Sequence, residues 1–202
     1  LQKGAAAARS DNTRSLKIAV VDWITPKNSF LSLPLQCNVK TDRGFYHNRT
    51  GELLCPATMD WGSPEIKTRL KSGELAPTGD QWPKFVYQEF VYDAADPWHG
   101  LFQSHLLVQA YKHIFTSPSS VENPTSYATR SSISRLHGMT VVTAASLAYI
   151  ATQVRFALSS TQVFSRNDTV TDSERFYNTV LELLEDPEEQ IKVEQLLNWW
   201  NK

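Results

Sequence analysis

At 202 residues, 41% hydrophobic and 20% charged, the chain is long enough for one domain with a sizeable core and short for two. Its 11% aromatic content argues against disorder, and two cysteines make no disulfide framework, so a reducing, intracellular setting is expected, cytoplasmic or nuclear. Residues 1–92 hold 12 Lys/Arg against 9 Asp/Glu, 93–170 hold 5 against 4, and 171–202 hold 3 against 8; so thin a basic surplus argues against a strongly basic duplex binder.

Residues 1–15 read as the end of a preceding helix or a polar linker, and the start at Leu1 suggests a piece of a longer chain. The opening LQKGAAAARS lacks the apolar core of a secretory signal. Residues 16–24, LKIAVVDWI, are a short strand or helix, followed by a loop around Pro26 and Pro34. Residues 43–56, RGFYHNRTGELLCP, suggest a β-hairpin with its turn at 48–51. Residues 64–71 predict a short helix capped by Ser63 and stopped by Gly73. Residues 82–92, rich in aromatics, suit either strand or helix.

The stretch 96–121, DPWHGLFQSHLLVQAYKHIFTSPSSV, reads as a buried central helix. Asp96 would cap it, Pro97 suits its first position, and apolar residues cover over half its circumference. Residues 125–160 suggest one long helix or two broken near Gly138. Asp172 is expected to cap the next helix, and Asp186-Pro187 to open the last. Val108, Ile150 and Val180 fall on apolar stripes of three different helices and are expected in the core. The most apolar run, 141–150, is half the roughly 20 residues a membrane span needs.

Cys37, His47 and Cys55 form the one metal-like cluster in the sequence, with Asp60 or His99 needed as a fourth ligand. The spacing matches no finger pattern, and Cys55 beside Leu53 and Leu54 reads equally as a small core residue. His105 and His113 are two turns apart, too far for one metal unaided. Asp60, Asp80, Asp93 and Asp96 are candidates for paired carboxylates, yet each lies in a turn-like phrase. No nucleophile elbow, zinc-protease or phosphate-cradling motif occurs, so neither a catalytic residue nor a cofactor is assigned. Trp23, Trp61, Trp82 and Trp98 stand next to turn residues and read as core anchors rather than a stacking platform. Of the adjacent pair Trp199-Trp200, only one can face the helix's own core, so the other should meet a neighbouring segment or a partner. Residues 117–120 are a candidate phosphorylation loop, and Asn48-Arg49-Thr50 and Asn167-Asp168-Thr169 match glycosylation sequons.

The phrases SLKIAVVDWITP, RGFYHNRTGELLCP, GDQWP, LHGMTVVTAASLAYIATQVRFALSS and TVTDSERFYNTVLELLEDPEEQ, with the 96–121 stretch, carry a resemblance. The chain resembles, over about residues 9–201, a family of uncharacterised proteins that recurs in many copies in mushroom-forming fungi. It departs from that pattern at His47-Asn48-Arg49, where a His-Pro turn is common in the family. The multi-copy spread implies association with mobile elements. The resemblance brings no activity, cofactor or catalytic residue to this chain.

The expected fold is mainly α: residues 16–202 as a single helical domain with a small β-hairpin in the N-terminal half. The leading expected function is a non-enzymatic protein-interaction module, its partner a protein, with no membrane contact. One alternative is a nucleic-acid-binding accessory domain using Arg9, Arg14, Lys17, Lys40, Arg43 and Arg49 as a basic face. The other is an unrecognised metal-dependent nuclease or transposase-like domain, which would need three or more convergent carboxylates.

Overall fold

The computed structural model describes residues 2–26, 33–116, 141–164 and 172–202, with side chains from residue 11 on. Seven α-helices stand among them: α1 (Gln2–Ile24), α2 (Asn48–Leu54), α3 (Pro64–Ser72), α4 (His105–Tyr111), α5 (Ala144–Leu158), α6 (Ser173–Glu185) and α7 (Gln190–Trp200). The mainly helical reading holds. The expected β-hairpin does not, because no strand occurs among the described residues and its sequence forms a 3₁₀ turn, Gly44–Tyr46, followed by α2.

The local chemistry explains that correction. His47 Nδ1 accepts the amide hydrogen of Arg49 at 3.1 Å, so His47 acts as an N-cap. Asn48-Arg49-Thr50-Gly51, which resembles a hairpin turn, is instead the first turn of α2. The Thr50 hydroxyl donates to the Gly44 carbonyl at 2.7 Å and ties helix to turn. Extended pairing survives as two isolated antiparallel bridges, Pro56 with Pro83 and Tyr87 with Leu101.

The stretch 16–24 is helical. Leu16, Val20, Val21 and Ile24 are buried at helical spacing, and the same helix includes residues from Gln2 on.

The central helix is α5 rather than the 96–121 stretch. Twelve of its fifteen residues are buried, and α1, α4 and α6 pack around it. Ala148, Ala151 and Ala157 let those neighbours approach, while Leu147, Ile150, Val154 and Leu158 fill the space between. Thr143 and Ser146 form a capping box at its start, with amide-to-hydroxyl distances of 2.9 and 3.2 Å. Ile150 and Val180 are fully buried as expected, and Val108 is half-buried.

Of the 96–121 stretch, residues 96–116 are described, and among them only His105–Tyr111 is α-helix, continued by a π-helical turn, Lys112–Thr116. The Asp96 carboxylate does accept from the Trp98 amide at 3.2 Å, but this closes a turn. Gly100 at φ 67° and Phe102 at φ 55° then break any helical path. Ser104 is the true cap, accepting from the Leu107 amide at 3.2 Å. The expected stop at 116–119, the candidate phosphorylation loop 117–120, the break near Gly138 and the second sequon lie outside the described residues, wholly or in part.

Ser63 caps α3 as expected, and Asp186 opens the last helical segment through the Glu188 amide at 2.9 Å. Asp172 does not cap α6. It stands at φ 43°, and its carboxylate accepts the Gly79 amide at 2.9 Å instead. Thr179 donates to the Gly79 carbonyl at 3.1 Å, so the 78–82 loop is clamped to α6 from both sides. At the C-terminal end, Trp200 donates to the Phe102 carbonyl at 3.0 Å while Trp199 is 40% exposed. Asn201 accepts the Val142 amide at 2.7 Å, anchoring α7 beside the start of α5.

Candidate functional site

The six cations expected to make one basic face are not used alike. Lys40 and Arg43 are both 0% exposed. Lys40 Nζ donates to the carbonyls of Phe156 and Thr161, each at 2.6 Å, and lies 3.3 Å from the Phe156 ring centroid. Arg43 donates to the carbonyls of Val39, Ala157, Gln36 and Cys37 over 2.8–3.3 Å. These carbonyls include the orphan acceptors at the C-terminus of α5, where the helix dipole also favours positive charge. Burial lowers the Arg43 guanidinium from its usual pKa, with Cys37 acting in the opposite sense. Neither side chain has surface to offer a phosphate. Arg49 pairs with Glu52 at 3.0 Å and stacks 5.2 Å from the Phe90 ring. Arg14 is exposed and Lys17 partly so on α1, and the Arg9 side chain lies outside the described residues.

The metal-like trio is likewise committed elsewhere. Both ring nitrogens of His47 are engaged, Nδ1 with the Arg49 amide and Nε2 with the Leu33 carbonyl at 2.7 Å. Cys55 is 0% exposed, points its thiol at the Met59 carbonyl, and is pushed up to about 11 by burial. Cys37 is half-buried and unbridged. No group of three metal-ligating side chains forms among the described residues. Asp60, Asp93 and Asp96 each close a turn by accepting an amide two residues on. Asp80 pairs with Arg175 at 3.3 Å; hydrogen bonds from Thr78 and its own amide, then Arg175, hold its carboxyl below the usual value. The four carboxylates do not converge.

What the structure does bring together is a set of aromatic rings. The strand-like pairing of 55–57 with 82–84, through Ala57 to Trp82 at 2.8 Å and Lys84 to Cys55 at 3.0 Å, fixes Trp82. The Gln88 amide on the Gly100 carbonyl at 2.8 Å brings Tyr87 level with Leu101 and leaves Trp98 in the adjoining turn. Tyr92 meets Tyr87 edge to face at 5.2 Å. The Gly79 clamp on α6 supplies the remaining wall, Leu183, and sets Asp80 at the rim. The result is a cleft of about 300 Å³ lined by Trp82, Tyr87, Tyr92, Trp98, Asp80 and Leu183 among others. The Tyr87 hydroxyl is pushed up to about 12, first by burial and then by Tyr92, so it stays a neutral donor. The Trp82 indole nitrogen is buried with no hydrogen-bond acceptor among the described residues, a costly arrangement.

Two further clefts lie among the described residues. One of about 360 Å³ lies between α5 and α6, bordered by Phe164 and Ser173, between which the chain passes outside the described residues. Another, of about 310 Å³, lies between the end of α3 and the end of α5. Neither gathers four aromatic rings.

The sequence of the cleft carries a signal that the reading by turns and anchors missed. Asp80-Gln81-Trp82 and Asp96-Pro97-Trp98 are the same Asp-x-Trp phrase, and residues of both line it.

A family model described as a family of unknown function, DUF6698, matches residues 3–202. The chain belongs to that family. No curated protein and no solved structure matches it. Membership in DUF6698 thus assigns no residue a role, and the cleft stands on its geometry alone.

Proposed function

We propose that the domain is a non-enzymatic protein-interaction module whose contact surface centres on the aromatic cleft. The carrying observation is the gathering of Trp82, Tyr87, Tyr92 and Trp98 around about 300 Å³ open to solvent. Trp and Tyr dominate binding hot spots because they bury large area at little conformational cost. Val91, 64% exposed, adds apolar surface next to Tyr92 in the chain. The burial of Lys40 and Arg43 removes two of the cations that the nucleic-acid reading needs. A role for the module in a fungal mobile-element protein, in nucleus or cytoplasm, rests on the resemblance of its long phrases alone.

The test is site-specific photo-crosslinking in native extract. A photoreactive residue replaces Thr58, an exposed residue on the cleft lining, and in a control chain Glu194, exposed on α7. The expected result is a protein adduct from position 58 alone, insensitive to nuclease and lost on Trp98→Leu. Equal adducts from both positions, no adduct, or adducts abolished by nuclease would overturn the reading.

A further inference from the structure

Resting on that reading, we propose that the aromatic cleft takes a trimethylated ammonium head presented on a lysine side chain of the protein partner. The faces of Trp and Tyr rings carry negative charge density and attract a cation within about 6 Å of the centroid. Four such rings border one cleft here, Trp82, Tyr92 and Trp98 half-buried and Tyr87 packed against Tyr92 with 4% of its surface exposed. The protein already uses this attraction on one of them, since Lys192 Nζ lies 5.5 Å from the Trp98 centroid. That ammonium is answered by Glu189 at 3.1 Å and is not part of the lining.

Charge around the cleft has the matching sign. Asp80 is in the lining, and Asp93 and Asp96 stand in the short segment joining Tyr92 to Pro97, both lining residues. The stretch 171–202, which contributes Leu183, holds 8 acidic against 3 basic residues. An anionic ligand is disfavoured there.

Methylation is argued from what the cleft lacks. A primary ammonium carries three donors and loses hydration that only acceptors can replace. The one carboxylate in the lining, Asp80, is shared with Arg175 at 3.3 Å, the Gln81 amide oxygen already accepts from the Thr78 amide at 3.1 Å, and the other side-chain acceptors in the lining are hydroxyls. A trimethylated head has no donor to satisfy, spreads its charge over its methyl groups and packs against rings and Leu183. The cleft opens to solvent, which leaves an exit for the four-carbon lysine stem.

The experiment titrates the full chain with a capped Ala-Ala-Lys-Ser-Ala peptide in three forms: lysine unmodified, trimethylated, or replaced by its neutral tert-butyl isostere. Free tetramethylammonium is a fourth probe. Indole signals in proton–nitrogen NMR report on Trp82 and Trp98 directly. The trimethylated peptide should bind at least tenfold tighter than the other two, and Tyr92→Leu should weaken it at least tenfold. Asp80→Asn should weaken it severalfold. Equal binding of the charged and neutral forms would overturn the proposal, as would failure of the trimethylated peptide to bind, whether or not tetramethylammonium binds. Should Tyr92→Leu unfold the chain, the comparison between trimethylated and neutral peptides on the unaltered protein still decides. A position-58 crosslink that persists while all three peptides fail refutes the ammonium assignment and leaves the interaction reading intact; loss of both refutes both.

Discussion

Lys40 and Arg43 belong to a short polar phrase, Lys-Thr-Asp-Arg, that any sequence reading would place in water. The contacts that bury them run to carbonyls 116 and 114 residues further on, at Phe156 and Ala157, and the local acceptors of Arg43, at Gln36, Cys37 and Val39, are ordinary backbone that does not mark it as buried. The energetic asymmetry is large, because a buried acceptor that loses its donor costs about 1–3 kcal/mol by itself. Arg43→Ala strands several acceptors at once and is expected to destabilise the fold by about 3 kcal/mol or more, read as a fall in the urea midpoint. Arg49→Ala, whose partner Glu52 is 43% exposed, should cost no more than about 1 kcal/mol. The two cysteines give a second prediction at this scale. Cys37, half-buried, should react readily with a thiol reagent, whereas Cys55, buried and held up to about 11, should react only as the chain unfolds. Two comparable fast phases in the native protein would contradict the packing around Cys55.

Some helix ends set by their own side chains are legible in the sequence, but those at His47, Ser104 and Thr143 are not, and neither are elements shaped by distant contacts. Ser63 and Asp186 cap from within their own turns, and both were readable. Asp96 forms the same kind of bond, but Gly100 and Phe102 take positive φ where Gln88 pairs with Gly100, so the helix waits until Ser104. The apolar stretch before the pairing and the one after it look continuous in sequence. The 43–56 phrase fails in the opposite direction: His47 caps a helix, a role that turn-residue statistics do not assign it. The aromatic cleft was invisible for a related reason, since its walls come from 57–58, 80–101 and α6 and meet only after the Gly79 clamp forms. Ile150→Ala, in the middle of α5, is expected to cost about 2–5 kcal/mol in a denaturant titration. Gly79→Ala would set a methyl group 2.4 Å from the Phe176 amide nitrogen. The collision should force the loop off α6 and destabilise by about 1–3 kcal/mol, seen as a lower melting temperature. An unchanged melt would mean that the loop does not rest on α6.

For the molecule as a whole, charge and proton uptake set the solution behaviour. With two cations buried and an acidic C-terminal stretch, duplex DNA should bind only in the non-specific range of about 10⁻⁴–10⁻⁶ M at physiological salt. Submicromolar affinity in a salt titration would refute that balance. Burial lowers the pKa of His113, whose Nε2 is buried without a partner, below its usual value of about 6.5. The unfolded chain therefore takes up a proton there before the folded one does. Its contribution to stability is complete above about pH 6.5 and is lost as pH falls toward the lowered value. His105 is lowered too, first by burial and then by Arg49, so His113→Phe should reduce the pH dependence of the melting temperature in that window without abolishing it, and leave the carboxylate region below it unchanged. The clamp between Lys40, Arg43 and the end of α5 has a consequence for synthesis. A ribosome delivers both cations more than a hundred residues before the carbonyls that receive them. Until residues 156–161 emerge, Lys40 lacks its carbonyl acceptors at Phe156 and Thr161, and Arg43 has only those of its own loop, at Gln36, Cys37 and Val39. The bonds from Lys40 to Phe156 and Thr161 and from Arg43 to Ala157 can form only once the central helix has been made.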